Sequence, residues 1–231
     1  SQIESDGYRE YHHSKQRAFS LGVEHSTGRI TNQFRVLVGY ENTDLTWDGV
    51  YGNDINNREL RRKGYKGFTD NFLQQVYSIN SRFTINKKSL IHNTIYYVKG
   101  SGFYETEKYE KTFYSYNVDF ETAWADNTTD LLRRKWIVNN YFGISPSYTL
   151  LLDKLRIDLG GEFRIYTGDH FGEVSNFSNS LLEDVSTPFK YYQYIGKKYS
   201  TIGYIHTRYS MSAKLSLFGE LQYIDHLWTM E

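Results

Sequence analysis

Residues 155–166 alternate between apolar and polar side chains with a period of two. Leu155, Ile157, Leu159, Gly161, Phe163 and Ile165 fall on one face of an extended chain. Arg156, Asp158, Gly160, Glu162, Arg164 and Tyr166 fall on the other. Successive side chains of a strand point to opposite faces, so this segment is a strand with one greasy side and one wet side. The pattern returns. Phe19, Leu21 and Val23 oppose Ser20 and Glu24 in 18–24, and Phe34, Val36, Val38 and Tyr40 oppose Gln33, Arg35 and Glu41 in 33–41. In 215–223, Leu215, Leu217, Gly219, Leu221 and Tyr223 oppose Ser216, Phe218, Glu220 and Gln222. Weaker candidates are 72–83 (Leu73, Tyr77, Ile79, Phe83), 90–104, 136–149 and 198–210. In 90–104, Leu90, Tyr96 and Val98 compete with Ile91, Ile95 and Tyr97 for the apolar face. Pro146 is awkward inside 136–149, because proline cannot donate a ladder hydrogen bond; it reads as a bulge or a strand end.

These eight segments are joined by connections that alternate in length. Ser26-Thr27-Gly28, Asn86-Lys87-Lys88, Leu152-Asp153-Lys154 and Ser212-Ala213-Lys214 are short, whereas roughly 45–70, 105–134 and 168–197 are long. In an antiparallel meander this places every short turn at one rim and every long loop at the other, as in outer-membrane barrels. Arg35, Arg156, Asp158, Glu162, Arg164 and Glu220 would then face a wet lumen as unpaired charges, and the apolar faces would meet lipid. Tyr40, Tyr97, Tyr166, Tyr209 and Tyr223 lie near segment ends, where aromatic girdles form. The competing reading is a soluble antiparallel barrel or sandwich. Its interior would have to be apolar, and turning these strands inside out exposes Leu, Ile and Phe to water.

Composition agrees. The 231 residues include 22 Tyr and 14 Phe but only 2 Pro, which favours strands. Mean hydropathy is −0.63, and no apolar run approaches the roughly 20 residues of a transmembrane helix; a barrel strand needs only about 9–11, alternately apolar. A net charge of +0 and a pI near 7.0 give no basic surface for nucleic acid. The absence of Cys removes disulfides and thiolate chemistry. Ser1–Gln16 is polar, and Leu227–Glu231 stops without a turn or cap. Both ends read as cuts in a longer chain, with any export signal lying upstream.

Four stretches resemble TonB-dependent outer-membrane receptors, especially those of Bacteroidetes-type bacteria. They are Asp44-Leu45-Thr46-Trp47-Asp48-Gly49-Val50 with Tyr65 and Asp70-Asn71 beyond it; Tyr96-Tyr97-Val98-Lys99-Gly100-Ser101-Gly102-Phe103-Tyr104-Glu105; Thr129-Asp130-Leu131-Leu132-Arg133-Arg134-Lys135-Trp136; and Tyr166-Thr167-Gly168-Asp169-His170-Phe171-Gly172-Glu173-Val174. The resemblance implies a barrel of about 22 strands closed by a plug. Residues 1–231 would be a partial barrel domain, without the plug, the TonB-contacting segment and the remaining strands. It further implies import of a scarce nutrient (ferric siderophore, cobalamin or oligosaccharide) powered from the inner membrane. The implied partners are the TonB complex through the plug, outer-membrane lipid and lipopolysaccharide, and a small-molecule or glycan ligand. The alternative is a self-contained eight-stranded barrel with a structural or adhesive role.

Candidate ligand residues sit on the long connections. Trp47, Asp48 and Tyr51 on one, and Trp124 with Asp126 on another, combine aromatic faces with carboxylates, which suits organic or sugar ligands. Arg133-Arg134-Lys135 could hold an anionic substrate or lipopolysaccharide phosphate, with Trp136 as an interface anchor. Asp169, His170 and Glu173 carry metal-ligating groups, but Gly168 and Gly172 read as turn positions, and no companion ligand set has suitable spacing. No metal or other cofactor is expected. No nucleophile–base pair or phosphate loop is recognisable, so the chain does not read as an enzyme.

Overall fold

The computed structural model describes residues 1–231 except 45–48, 51, 65–67 and 119–125. Nine strands follow one another: β1 (Gln2–Ser5), β2 (His13–Thr27), β3 (Ile30–Asp44), β4 (Phe68–Asn86), β5 (Ser89–Thr112), β6 (Thr128–Leu151), β7 (Leu155–Phe177), β8 (Phe189–Ser210) and β9 (Ser216–Met230). Each pairs antiparallel with the next, giving one sheet in sequence order. Among the described residues β1 and β9 do not pair with each other. The sheet is an open section of barrel wall, not a closed eight-stranded barrel. The additional strand is β1, four exposed residues, too short to show a period.

Short and long connections do alternate beyond the β1–β2 link, and the short ones carry their own turn chemistry. Gly28 occupies φ +54°, a left-handed position that glycine adopts without strain. Asn86 accepts from the Lys88 amide at 2.8 Å, and Leu152 and Leu155 exchange backbone bonds across Asp153-Lys154. Ser212 accepts from the Lys214 amide at 3.2 Å.

The long connections are shorter than the sequence suggests, because the strands run on. β5 reaches Thr112 and β6 begins at Thr128, so much of 105–134 is strand; β7 and β8 absorb most of 168–197. Gly168 and Gly172 are therefore strand residues, not turns. Strands of up to 24 residues are more than twice what a bilayer needs. Their excess continues the wall beyond the apolar band, where alternation no longer has lipid on one side to enforce it.

Register fixes the faces. Tyr77, Tyr97, Phe142, Ile165 and Tyr199 form one cross-strand row; Ile79, Ile95, Ile144 and Phe163 form the next row toward the short-turn rim. Ile91, Ile95 and Tyr97, rather than Leu90, Tyr96 and Val98, thus share the apolar face. Many of these apolar side chains are exposed, including Leu159, Phe163, Leu217 and Leu221. A soluble protein would bury such a face; hydrocarbon would cover it. The polar residues Gln75, Lys99, Asn140, Thr167 and Lys197 come immediately above. Tyr97 donates to Asn140 at 2.5 Å and Tyr77 to Gln75 at 3.1 Å, so each ring lies along the apolar band with its hydroxyl turned to the polar row. Tyr40, Tyr97, Tyr209 and Tyr223 all share this outer face. Tyr166 does not: it pairs with Lys198 on the opposite face, mid-strand, and is no girdle residue.

Pro146 lies inside β6, and pairing with β7 is interrupted at Ser145 and Pro146 without a change of register. The missing donor is replaced by the Ser145 hydroxyl, which donates to the Gly161 carbonyl at 3.2 Å. The only buried apolar cluster among the described residues sits at the long-loop rim. Phe113, Tyr116 and Val118 of the β5–β6 connection pack with Leu131, Val174 and Leu182. Nearer the short-turn rim no buried apolar cluster lies among the described residues.

Candidate functional site: the wet face at the long-loop rim

The inner face is polar, and several of its charged groups have partners. Arg156 donates to Asp158 at 2.7 Å, Thr149 donates to the same carboxylate at 2.5 Å, and His206 stands 3.3 Å from Glu220. Tyr96 on β5 reaches across β6 to donate to Glu162 on β7 at 2.5 Å. It can do so because the strand between them carries Gly143. A Cβ there would lie 2.2 Å from the Tyr96 ring. Of the lumen charges expected to be unpaired, Arg156 and Asp158 pair with each other, Glu162 accepts from Tyr96, and Glu220 stands beside His206.

Toward the long-loop rim this face becomes a run of rings. Tyr141 packs on Tyr166 at 4.6 Å, and Tyr166 hydrogen-bonds His170 Nε2 at 3.0 Å. His170 stacks on Tyr194 at 5.0 Å with the planes 8° apart. Tyr194, Tyr192, Tyr191 and Tyr116 continue the series at 6.0, 4.9 and 4.7 Å. The glycines of the Gly168–Gly172 stretch make the room. A Cβ at Gly168 would meet the Tyr166 hydroxyl at 2.1 Å, and one at Gly172 would meet Tyr192 at 2.3 Å and Tyr191 at 2.4 Å. Sequence reasoning missed this series, because Tyr191, Tyr192 and Tyr194 lie in what reads as loop. The available signal was the even spacing of Gly168, His170 and Gly172 as a continuation of the inward set from Arg156.

Arg133 stands beside this series. Its guanidinium lies 5.8 Å from the Tyr104 ring centre and donates to the Thr106 hydroxyl at 3.2 Å. Its Nε is enclosed and has no hydrogen-bond partner, and no carboxylate among the described residues lies within ion-pair distance. An enclosed Nε without an acceptor is costly, and an arriving anion would relieve it. Burial pushes the neighbouring Tyr191 phenol up, opposed by the Arg133 charge, and burial also raises Tyr192. Both stay protonated donors at neutral pH. Asp70, opposite Tyr104, is raised by burial and by the nearby Glu41.

The sequence-derived candidates divide. Trp47, Asp48, Tyr51 and Trp124 lie outside the described residues. Arg133 and His170 face inward. Arg134 faces outward and pairs with Glu105 at 2.5 Å, and Asp169 faces outward to accept from Gln193 at 2.9 Å. The run Arg133-Arg134-Lys135 is therefore not one cationic patch; strand alternation splits it between two faces. The same alternation separates His170 from Asp169 and Glu173, so that trio cannot converge on one ion.

Comparison with solved structures places this wall. The chain matches the ferric-catecholate import receptor Fiu of E. coli K12 in its open form with a TM-score of 0.67 at 11% identity, covering 99% of this chain and 40% of that one. The closed form gives 0.65 at 11% identity, with 99% and 36% covered. BauA, the ferric preacinetobactin receptor of Acinetobacter baumannii, gives 0.64 at 7% identity, with 99% and 36% covered. The fold is a section of such a receptor barrel. The chain spans 36–40% of the length of these structures. No family model matches the sequence, and no curated protein matches it.

Proposed function

We propose that this chain is a wall section of a TonB-dependent outer-membrane receptor of the Bacteroidetes type, which binds a scarce nutrient outside the cell and imports it. The single observation that carries the reading is Arg133, a guanidinium with an unsatisfied Nε and no carboxylate partner among the described residues, on the wet face at the rim of a receptor-type barrel wall and beside the Tyr104 ring. An anionic, ring-rich ligand fits that chemistry: charge-assisted hydrogen bonds orient it, and the rings supply contact area. The neighbouring proteins are named for a ferric catecholate and for ferric preacinetobactin, which favours a ferric siderophore over cobalamin or an oligosaccharide. On this reading the long-loop rim is extracellular, the apolar band meets outer-membrane lipid, and the protein is no enzyme. On the same reading TonB acts through a plug region of the full-length receptor.

Uptake in a strain lacking the full-length gene, with iron starvation and glycan sole-carbon growth compared, tests it. Loss of ferric uptake, reproduced by Arg133→Gln and not by Arg134→Gln, supports the reading. Unchanged uptake of every candidate ligand contradicts it.

A further inference from the structure

The short-turn rim carries a charge pattern that ligand uptake does not use. The residues between strands there include Arg29, Lys87, Lys88, Lys154 and Lys214, all exposed, against one carboxylate, that of Asp153. None of these cations stands within ion-pair distance of a carboxylate among the described residues. Three of them gather at one place. The Thr84 amide donates to the Arg29 carbonyl at 2.8 Å, and the Arg29 guanidinium donates through Nη1 to the Ile85 carbonyl at 2.9 Å. The first turn is thereby fastened to the foot of β4, two residues short of Lys87. The other donors of this guanidinium have no partner among the described residues. Asn86 holds the next turn by accepting from the Lys88 amide at 2.8 Å. Ile30, Phe83 and Ile91 form the outward cross-strand row directly above, and all three are exposed.

Depth decides what these cations can meet. Ile30 pairs with Phe83, Ser89 with Leu150 and Leu155 with Tyr209, so each short turn lies about two residues further along than the one before it. Strands about 4.8 Å apart and tilted near 40° must slip by about two residues per hairpin if their ends are to be level. The four turns therefore share one plane parallel to the membrane. Lys87 lies ten residues from Tyr77 of the upper aromatic row. At about 3.3 Å per residue and the same tilt this is roughly 25 Å, the height of a barrel's apolar band. The cations thus stand in the headgroup layer of the short-turn leaflet. A polymer of the aqueous compartment would lie below them, whereas a lipid phosphate lies beside them.

We infer that Arg29, Lys87 and Lys88 form a site for an anionic phospholipid of the short-turn leaflet, with its phosphodiester on the three cations and its acyl chains along Ile30, Phe83 and Ile91. The inference rests on the proposed reading for its membrane and not for its cargo. Two observations support the occupant. The uncompensated charge at headgroup depth is cationic, and cations so placed attract anionic lipid. The exposed apolar row runs straight into the cluster, and only an anion that carries acyl chains uses both. The other turns offer no equal cluster: Lys154 has Asp153 beside it in sequence, and Lys214 is the single charged residue of its turn.

The test uses the full-length protein in detergent micelles, with folding checked by heat-modifiable migration. It is titrated with phosphatidylglycerol and, separately, with phosphatidylcholine, and the first bound lipid is read by native mass spectrometry. The unaltered protein should prefer phosphatidylglycerol. Arg29→Gln should lower that affinity about tenfold, the loss of one charge-assisted contact. Lys87→Gln and Lys88→Gln should each lower it about fivefold, and Lys154→Gln and Lys214→Gln should leave it unchanged. Arg29 also fastens its turn, so if Arg29→Gln does not fold, the two lysine variants decide. Equal affinity for the two lipids, or unaltered affinity in the Lys87 and Lys88 variants, would overturn the inference. So would an equal loss at Lys154 and Lys214, which would mean diffuse attraction and no site. The receptor reading fails separately, by unchanged uptake in the gene-deletion strain, and that result leaves the lipid site standing.

Discussion

Replacing Gly143 with alanine deletes no contact, yet it should destabilise the wall. The new Cβ would stand 2.2 Å from Tyr96 Cζ and 2.4 Å from its hydroxyl, against an ordinary separation of about 3.4 Å or more. A free tyrosine ring would swing aside cheaply, but this ring is tethered by its 2.5 Å bond to Glu162. Moving it gives up a hydrogen bond to a charged acceptor, worth about 1.5–3 kcal/mol. Against that, alanine in a strand gains about 0.5–1 kcal/mol over glycine from the unfolded chain. The net loss is about 1–2 kcal/mol. The same substitution in a Tyr96→Ala background meets nothing and should stabilise by about 0.5–1 kcal/mol, so its sign reverses. Urea unfolding of the four proteins of this cycle, reconstituted in lipid, measures the coupling, expected near 2 kcal/mol. Additive effects, or an unchanged sign in the Tyr96→Ala background, would refute the claim that Gly143 exists to let Tyr96 cross β6.

Other outcomes follow from the same geometry. Ile95→Arg, in the apolar band, should cost about 2–4 kcal/mol in lipid, whereas Val98→Arg on the wet face of the same strand should cost under about 1 kcal/mol, read by the same unfolding assay. Ser145→Ala leaves the Gly161 carbonyl without its substitute donor and should cost about 1–3 kcal/mol. On the proposed receptor function, Arg133→Gln should weaken binding of a ferric siderophore at least about tenfold by titration on the full-length protein, with Arg134→Gln near wild type. Asp70 is held above its ordinary range in the folded wall, so folding binds protons there and stability contributed by this group falls as pH rises from its unfolded value. Asp70→Asn should therefore stabilise at pH 7, with the gain disappearing in acid; a gain that persists at low pH would contradict the assignment.

Much of the wall was legible in the sequence because lipid enforces a period of two. Leu155 to Ile165 and Leu217 to Tyr223 have only one arrangement that keeps apolar groups out of water. Beyond the aromatic row, water lies on both sides. Residues such as Tyr191, Tyr192 and Tyr194 then carry no pattern that distinguishes strand from loop, and the upper strand ends were read as connections. Glycines misled for a related reason. Gly168 and Gly172 carry no strain that calls for glycine; they are bare because Tyr166 on the same strand and Tyr191 and Tyr192 on the adjacent strand occupy their space, and rings on a neighbouring strand are invisible to local reading. Pro146 misled because its repair comes from the side chain of Ser145, which backbone rules do not count. The run Arg133-Arg134-Lys135 reads as one patch only until strand alternation is imposed on it.

The most direct trial of the account uses the absence of cysteine from the chain. Single cysteines placed in turn at residues 155–165 of the full-length protein in membranes can be probed with a water-soluble maleimide and with a lipid-dissolved quencher. Even positions, from Arg156 to Arg164, should react with the maleimide, and odd positions, from Leu155 to Ile165, should respond only to the quencher. Odd positions protected from both probes would place these apolar side chains in a dry protein interior and contradict the barrel wall.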